Sequence, residues 1–390
     1  MLIKSVMAEI STPKLAVLCF VLIAALTGLA ESGFSVEQVE AERITAGMPP
    51  ISLHHLQTLT DTNGIHEFAH GTVPWHENGY CAEDVARALV AVTQYEKNTG
   101  KTNALPLANI YLRYLQNSLC ADGQLWNRQG RMLTSGDSYG RVLWGLGYAA
   151  AMHPDREIAT PAAKLLERIL PAYNEKLGGY PIANASAIQG LTAFISKFPG
   201  GAPQVALKDL VQQNLAHYRQ HRSVSWKWFE PTMRYDTGRF PLALLLAFEA
   251  TGSVECREAG LESLDFLLEV CFSPDGRQLR PVGNQGWYPQ GGTPALFDQQ
   301  PIDAASIVEA CVAAARITGE KKYADCAWKA FDWFLGNNVK GAKIYDPTTG
   351  GCCDGLTVEG ANRNEGGEST IMYVIARCDL EELQRNEPHE

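Results

Sequence analysis

The chain has 390 residues, and its 33 Lys and Arg against 43 Asp and Glu give a formal net charge of −10. Hydrophobic residues make up 46% of the sequence and charged residues 19%, so the chain can bury a large core and does not belong to the disordered class. The acidic balance and the absence of Lys/Arg runs argue against nucleic acid as a partner.

The N-terminal region carries an apolar run from Leu15 to Leu26 that follows two lysines. This run is shorter than the roughly 20 residues that a membrane-spanning helix needs. Small residues follow it at Gly28 and Ala30, as at a signal-peptidase cleavage site. We therefore predict that residues 1–30 are a signal peptide or a short membrane anchor and that 31–50 are a linker. The protein is then exported or membrane-anchored in a bacterium and touches the membrane only through this segment; a cytoplasmic protein is the alternative.

The next motif along the chain matches the zinc-peptidase pattern H-E-x-x-H at His66, Glu67 and His70. In such enzymes two His on one helix face bind zinc and the Glu acts as a base, and His76 offers a third ligand. A glycine precedes the motif closely, a glycine and a proline follow it, and the apolar stripe of an active-site helix is missing. A zinc metallopeptidase is therefore a minor alternative, and a loop with solvated or inward-reaching side chains is the preferred interpretation.

Two kinds of helical segment alternate from about residue 80 to 382. One kind is amphipathic, as at Pro161–Tyr173, where apolar residues recur every three or four positions. The other kind is apolar nearly all round, at Val85–Val92, Val142–Ala151, Ala187–Ile195, Leu242–Phe248, Ile307–Ala315 and Ile371–Ala376. A helix with one apolar stripe lies on a surface, whereas a helix that is apolar on every side is buried on every side.

The buried segments begin at intervals of roughly 50 to 65 residues, which is the spacing of a helical-hairpin repeat. An open array of hairpins would need capping repeats at its ends, and none is evident. The sequence therefore predicts an all-α fold of the (α/α)6 toroid class, with six inner helices around a funnel and six outer helices. This single domain is predicted to cover 51–382, followed by a polar tail at 383–390.

Most of the inner helices start at an acidic residue. These residues are Asp84, Asp137, Asp236, Asp303 and Glu368. If the inner helices all start at one end, the five acids surround one mouth of the toroid. The alternative is that each acid is an ordinary N-cap, which any helix start favours.

Three of these acids are followed three or four residues later by Arg87, Arg141 or Arg239. This spacing puts each acid and its arginine on the same helix face. The pairs either brace the toroid, because an unpaired buried charge is costly, or hold particular carboxylates ionised and so separate a base from an acid.

Six segments taken together resemble the six-hairpin glycosidase-like superfamily. They are Leu59–Ile65, Gly79–Leu89, Gly136–Gly147, Trp228–Pro241, Phe297–Asp303 and Asn362–Thr370. The resemblance is to a little-characterised carbohydrate-active group that is found alone or as the C-terminal module of bacterial glycosyltransferases. It implies an (α/α)6 fold and carbohydrate chemistry, and it supplies no assigned catalytic pair.

The function predicted from these patterns is a glycoside hydrolase that acts on a bacterial oligosaccharide or polysaccharide through a carboxylate acid/base pair. The candidate catalytic residues are Asp137, Asp236, Asp303, Glu368 and, in reserve, Glu230. The candidate substrate-binding residues are Asp84, Arg87, Arg141, Trp144, Arg239, Trp287 and Asn364, the two tryptophans as platforms for sugar rings. This chemistry requires no metal or cofactor. The alternative function is a non-catalytic glycan-binding module that acts with a glycosyltransferase partner.

Overall fold

The structure is a computed structural model that describes residues 48–120, 124–128, 132–177 and 179–386. The predicted export segment and linker lie almost entirely outside the described residues. From Ile51 onward the chain forms one compact unit. No helix in the described part of the chain is long and apolar enough to span a membrane.

The unit is built from helices with five small antiparallel strand pairs between them. The helices are α1 (His54–Leu59), α2 (Ala82–Thr99), α3 (Leu105–Ser118), α4 (Gly136–Met152), α5 (Arg156–Ile169), α6 (Tyr173–Leu177), α7 (Pro181–Lys197), α8 (Gly201–His221), α9 (Arg239–Thr251), α10 (Val254–Cys271), α11 (Pro301–Thr318), α12 (Lys321–Phe331) and α13 (Gly367–Asn386). The strands are β1 (Ala69–His70), β2 (Val73–Pro74), β3 (Trp126–Arg128), β4 (Met132–Leu133), β5 (Thr232–Met233), β6 (Tyr288–Pro289), β7 (Tyr345–Asp346), β8 (Gly351–Cys352), β9 (Gly355–Leu356) and β10 (Ala361–Asn362).

Six of these helices form a closed inner ring. Helices α2, α4, α7, α9, α11 and α13 each pack against the next, and α13 packs against α2. Helices α2 and α13 meet near their starts through Arg87 and Glu368 and near their ends through Lys97 and Glu382. The starts of α4, α9 and α11 meet in the same way, since Asp236 pairs with Arg141 and Thr237 donates to Asp303. The inner helices therefore run in the same direction around a central axis, as the all-round apolar segments predict.

Outer helices cover the inner ring. Helices α3, α5, α8, α10 and α12 pack against the inner helix that precedes each of them. Their buried residues follow the predicted stripe, as in α5, which buries Ile158, Ala162, Leu165 and Ile169. In the described residues the sixth outer position is occupied by the six-residue helix α1, which packs against α13. This sixth outer helix is therefore present but shorter than the other five.

The two ends of the toroid differ in the length of their connections. Inner helices join the following outer helices through short turns, such as Gly252–Ser253 between α9 and α10. Gly252 ends α9 in the left-handed conformation, with φ of 71°, which glycine adopts at little cost. All the strand pairs lie in the opposite connections, which lead from an outer helix to the next inner helix. Long loops therefore cover the N-terminal end of the inner ring, and the C-terminal end is left without them.

The last helix extends further than the sequence suggests. Helix α13 continues to Asn386, and Leu383 is buried. The predicted boundary at 382 between the domain and a polar tail falls within this helix.

Candidate active site

The acidic residues at the inner-helix starts do not cap their helices. The N-cap residues of α2, α4 and α11 are Cys81, Ser135 and Gln300, and none makes a side-chain capping bond. By contrast, outer helix α5 has an ordinary cap, in which Asp155 accepts a hydrogen bond from the N–H of Glu157. The inner acids lie inside the first turn or just before it, and their side chains pair with arginines or with Thr237 rather than with the N–H groups of their own first turn. The N-cap interpretation of these acids is therefore wrong.

Glu368 is an ionised carboxylate at the mouth. Its Oε2 accepts hydrogen bonds from Arg87 Nη1 at 2.6 Å and from the hydroxyl of Tyr235 at 2.6 Å. Burial by itself raises the pKa of Glu368, but Arg87, Arg141 and the Tyr235 bond outweigh burial and lower the pKa below its usual value. About 30% of the side chain is exposed, so a substrate can reach it.

Asp236 is the centre of a second network of charged side chains. Its Oδ2 lies 3.0 Å from Arg141 Nη1 and 3.1 Å from Arg239 Nε, and the carboxylate is fully buried. Burial raises the pKa of Asp236, but Arg239 and Arg141 lower it below its usual value. Arg141 also lies 3.4 Å from Asp137, whose side chain is 30% exposed. Asp236 therefore braces the two arginines, while Asp137 faces solvent.

Two further acids are buried with raised pKa values. Asp303 Oδ1 accepts hydrogen bonds from the N–H and the hydroxyl of Thr237 at 3.0 and 3.1 Å, and burial raises its pKa to about 8. Asp84 lies 3.0 Å from Arg87, and burial raises its pKa to about 7. Asp303 therefore joins the starts of α11 and α9 rather than facing the mouth.

Glu67 is a mouth residue that was not among the predicted catalytic candidates. Its side chain is 15% exposed and forms an ion pair with Arg128. Burial raises its pKa, and Arg128 opposes this rise only in part. Its carboxylate lies within 4.8 Å of that of Asp84, and its carbonyl accepts the N–H of Gly367 at 2.9 Å. The backbone of Glu67 therefore lies beside the start of α13, next to Glu368.

The zinc-peptidase motif does not form a helix. His66 and Glu67 lie in an irregular segment, and His70 belongs to β1 and packs against the ring of Trp75. His66 instead contacts His76, with 2.9 Å between Nε2 and Nδ1. Since His66 and His70 do not share a helix face, the structure does not support a zinc peptidase.

Two sets of side chains within the described residues could hold a metal ion. One set comprises Asp61, His66 and His76, and the other comprises Glu67, Cys81 and Asp84. In the first set the two His nitrogens are already within hydrogen-bonding distance of each other. The second set shares Glu67 and Asp84 with the mouth, where their raised pKa values favour a bound proton.

The remaining predicted site residues either lie away from the charged network around Glu368 and Asp236 or hold loops in place. Glu230 lies near Arg234, at 3.8 Å, on the segment before β5. Trp144 is buried, with Arg239 over its ring at 4.4 Å, and it lines the C-terminal half of the ring rather than the mouth. Trp287 is half-buried in the loop before β6. Asn364 uses its side-chain oxygen to accept the N–H of Gly71, which fixes the β1–β2 hairpin.

No family model and no curated protein matches the sequence. Solved structures do match the fold. A D-mannose isomerase has a TM-score of 0.65 at 12% identity, covering 90% of this chain and 98% of its own. A cellobiose 2-epimerase from Spirochaeta thermophila has a TM-score of 0.66 at 14% identity, covering 90% and 96%. A GH76 α-mannanase from Bacteroides thetaiotaomicron has a TM-score of 0.58 at 10% identity, covering 84% and 92%. The chain therefore has an (α/α)6 toroid fold.

In this six-hairpin toroid the N-termini of six parallel helices converge on the mouth. Their partial positive charges favour an ionised carboxylate there, in agreement with the lowered pKa of Glu368. Glu67 lies at the same mouth with its pKa raised. Two carboxyl groups with opposite displacements of pKa are the arrangement that general acid–base chemistry requires.

Proposed function

We propose that this protein is a carbohydrate-active enzyme, most simply a glycoside hydrolase that acts on a bacterial glycan. The observation that carries the proposal is that the pKa values of two carboxyl groups at the covered end of the toroid are displaced in opposite directions. Glu368 has a lowered pKa and Glu67 a raised one, and their backbones are adjacent. The structural neighbours, which include a D-mannose isomerase, a cellobiose 2-epimerase and an α-mannanase, support a carbohydrate as the substrate class.

In the proposed mechanism, Glu67 donates a proton to the glycosidic oxygen as the leaving group departs. Ionised Glu368 then activates a water molecule, or attacks the sugar directly if the enzyme retains configuration. Asp137, whose side chain is 30% exposed beside the buried Arg141, lies at the same mouth and is suited to bind sugar hydroxyls. The pKa of Asp84, which lies beside Glu67, is also raised, and this supports a bound proton in this part of the site.

The test measures reducing-sugar release from purified bacterial polysaccharides by the wild type and by Glu368→Gln and Glu67→Gln. Each variant keeps the size of the side chain and removes its acid/base function, so we expect at least a 100-fold loss of activity from each. Glu255→Gln, in an exposed ion pair with Arg219 on an outer helix, is the matched control and should keep wild-type activity. Full activity in both mouth variants would contradict the assignment.

Sugar epimerisation is the second candidate, because the isomerase and epimerase neighbours have higher TM-scores than the mannanase. The same acid and base would move a proton on the carbon next to a carbonyl group. The assay incubates free reducing sugars with the enzyme in deuterated water and measures deuterium at that carbon by NMR. Deuterium incorporation that is lost in Glu368→Gln would favour epimerisation over hydrolysis.

A non-catalytic role beside a glycosyltransferase is a third proposal, and it rests on the sequence resemblance alone. It predicts saturable glycan binding without turnover or deuterium exchange. It also predicts that Glu67→Gln and Glu368→Gln bind the glycan with unchanged stoichiometry. Calorimetric titration of the same polysaccharides measures both properties.

A further inference from the structure

A second concave region lies at the end of the toroid away from the proposed active site. It is a cavity of ≈ 340 Å³, lined by all six inner helices through residues in their middle and C-terminal parts. Its volume is in the range of small-molecule sites. The short turns at this end leave it open to solvent, since the rim residues Lys97, Glu249, Arg316 and Glu382 are each about one-third exposed.

The rim cations are already paired. Lys97 lies 3.0 Å from Glu382, and Arg316 lies 2.7 Å from Glu249. Asp379, deeper in the cavity, accepts a hydrogen bond from the amide of Gln94 at 2.9 Å. Among the described lining residues, Asp379 is therefore a carboxyl group without a cationic partner of its own.

Two buried oxygens in the cavity wall have no hydrogen-bond donor. They are Oε1 of Gln94 and Oε1 of Glu309, and each residue is 7% exposed. The other carboxylate oxygen of Glu309 is occupied by Arg239 at 3.0 Å. A buried acceptor without a donor is costly, so a ligand that presents N–H or O–H groups would satisfy both.

The charge distribution favours a cation over a neutral ligand. The C-terminal ends of six parallel helices converge here, and their partial negative charges attract positive groups. Burial, together with the carboxylates of Glu309 and Glu382, raises the pKa of Asp379 in spite of Arg316 and Lys97. A bound cation would offset this repulsion between carboxylates and favour the ionised form of Asp379. The rings of Trp144 and Tyr148 also line the cavity, and aromatic faces attract organic cations.

We propose that this cavity binds a small organic cation whose ammonium groups donate hydrogen bonds to Glu309, Gln94 and Asp379. The site is separate from the proposed active site, so its occupation does not depend on the reaction at the mouth. Its position on the inner helices would allow a bound cation to stabilise the ring.

The test compares 1,4-diaminobutane with 1,4-butanediol, which has the same chain length and no charge, by isothermal titration calorimetry on the whole chain at about 150 mM salt. We expect saturable 1:1 binding of the diamine and at least tenfold weaker binding of the diol. Asp379→Asn and Glu309→Gln keep the size of each side chain and should weaken diamine binding at least tenfold.

Glu255→Gln removes one exposed carboxylate elsewhere and serves as the control for non-specific attraction, with a change of less than twofold expected. Circular dichroism establishes that each variant is folded. Equal binding of the diol, no saturable binding of the diamine, or unchanged affinity in both Asp379→Asn and Glu309→Gln would overturn the proposal. Loss of binding in these variants with hydrolytic activity intact would separate this site from the proposed active site.

Discussion

Two carboxyl groups at inner-helix starts have pKa values displaced in opposite directions, because their nearest neighbours differ. One carboxylate oxygen of Glu368 accepts hydrogen bonds from Arg87 and from the hydroxyl of Tyr235, and the pKa of Glu368 is lowered. Asp303 is buried with only the N–H and hydroxyl of Thr237 as donors, and its pKa rises to about 8. At Glu368 two arginines and a hydroxyl together outweigh desolvation, whereas the two neutral donors of Asp303 do not. A single arginine does not suffice at Asp84, whose pKa is raised to about 7.

This difference predicts that Asp303 makes folding stability depend on pH. Between its ordinary pKa of 3.8 and its folded pKa of about 8, the unfolded chain is ionised while the folded chain keeps the proton. The free energy of unfolding contributed by this group therefore falls as pH rises through that window, by up to about 1.4 kcal/mol per pH unit. Urea unfolding at pH 5, 6 and 7 should show a smaller fall in Asp303→Asn than in the wild type. An identical slope in the two proteins would contradict the assignment.

Close backbone approach between helices α4 and α7 holds one side of the inner ring together. A Cβ added at Gly147 would lie 2.2 Å from the carbonyl oxygen of Gly190. A Cβ added at Gly190 would in turn lie 2.2 Å from the carbonyl oxygen of Leu143. Since backbone atoms cannot rotate away, these glycines set the distance between the two helices.

Gly147→Ala should therefore lower the free energy of unfolding by about 1–3 kcal/mol, because the helices must separate to admit one methyl group. Gly260→Ala is the matched control on outer helix α10. The nearest atom to its added Cβ is the side-chain Cγ of Leu245, at 3.0 Å. Movement of that side chain and the higher helix propensity of Ala should keep Gly260→Ala within about 1 kcal/mol of the wild type. Chemical denaturation measures both, and equal values for the two variants would refute the role given to Gly147.

At the scale of the molecule, closure of the ring determines where the proposed active site and the proposed cation site lie. Helix α13 packs between α2 and α11, and it carries Glu368 at the mouth and Asp379 at the opposite cavity. The long loops gather at one end because each outer helix returns the chain there. The same arrangement gathers six helix N-termini at the mouth and six C-termini at the cavity, so the two ends differ in electrostatic character.

Truncation after Gly366 removes α13 and should abolish cooperative folding, because the apolar faces of α2 and α11 lose their partner. Truncation after Asn386 removes only residues beyond that helix and should unfold like the full chain. Urea denaturation followed by circular dichroism distinguishes the two. A cooperative transition of wild-type steepness in the shorter chain would show that the ring does not need to close.

The main sequence predictions of the fold are confirmed because they rest on local periodicity. The six segments that are apolar on all sides became the inner helices, and their predicted starts fall within a few residues of the observed ones. The site was less predictable. The five acids do gather at one end, but Asp84, Asp236 and Asp303 are buried. Nothing local in the sequence distinguishes these from Glu368 and Asp137, because the difference lies in contacts from other helices.

Glu67 is a second example of a residue whose position at the mouth could not be predicted from the local sequence. Its H-E-x-x-H motif offered zinc chemistry only as a minor alternative to a loop with solvated or inward-reaching side chains. The packing of this loop against the start of α13 is what puts Glu67 at the mouth. A signal was present, since Glu67 is an acid in a loop before the first inner helix, but that signal does not specify a partner. Trp144 was predicted to be a platform for sugar rings, and the structure places it two turns into α4, where it lines the opposite cavity.

The sequence by itself determined the helical class, the alternation of inner and outer helices and the presence of acids at the inner starts, because hydrophobic period and residue order act over one or two turns. The tertiary structure alone decided which carboxyl groups are ionised, which are protonated and which are accessible. Those properties depend on desolvation and on charges brought together from residues hundreds of positions apart, as with Arg87 and Glu368, and no local pattern encodes that distance.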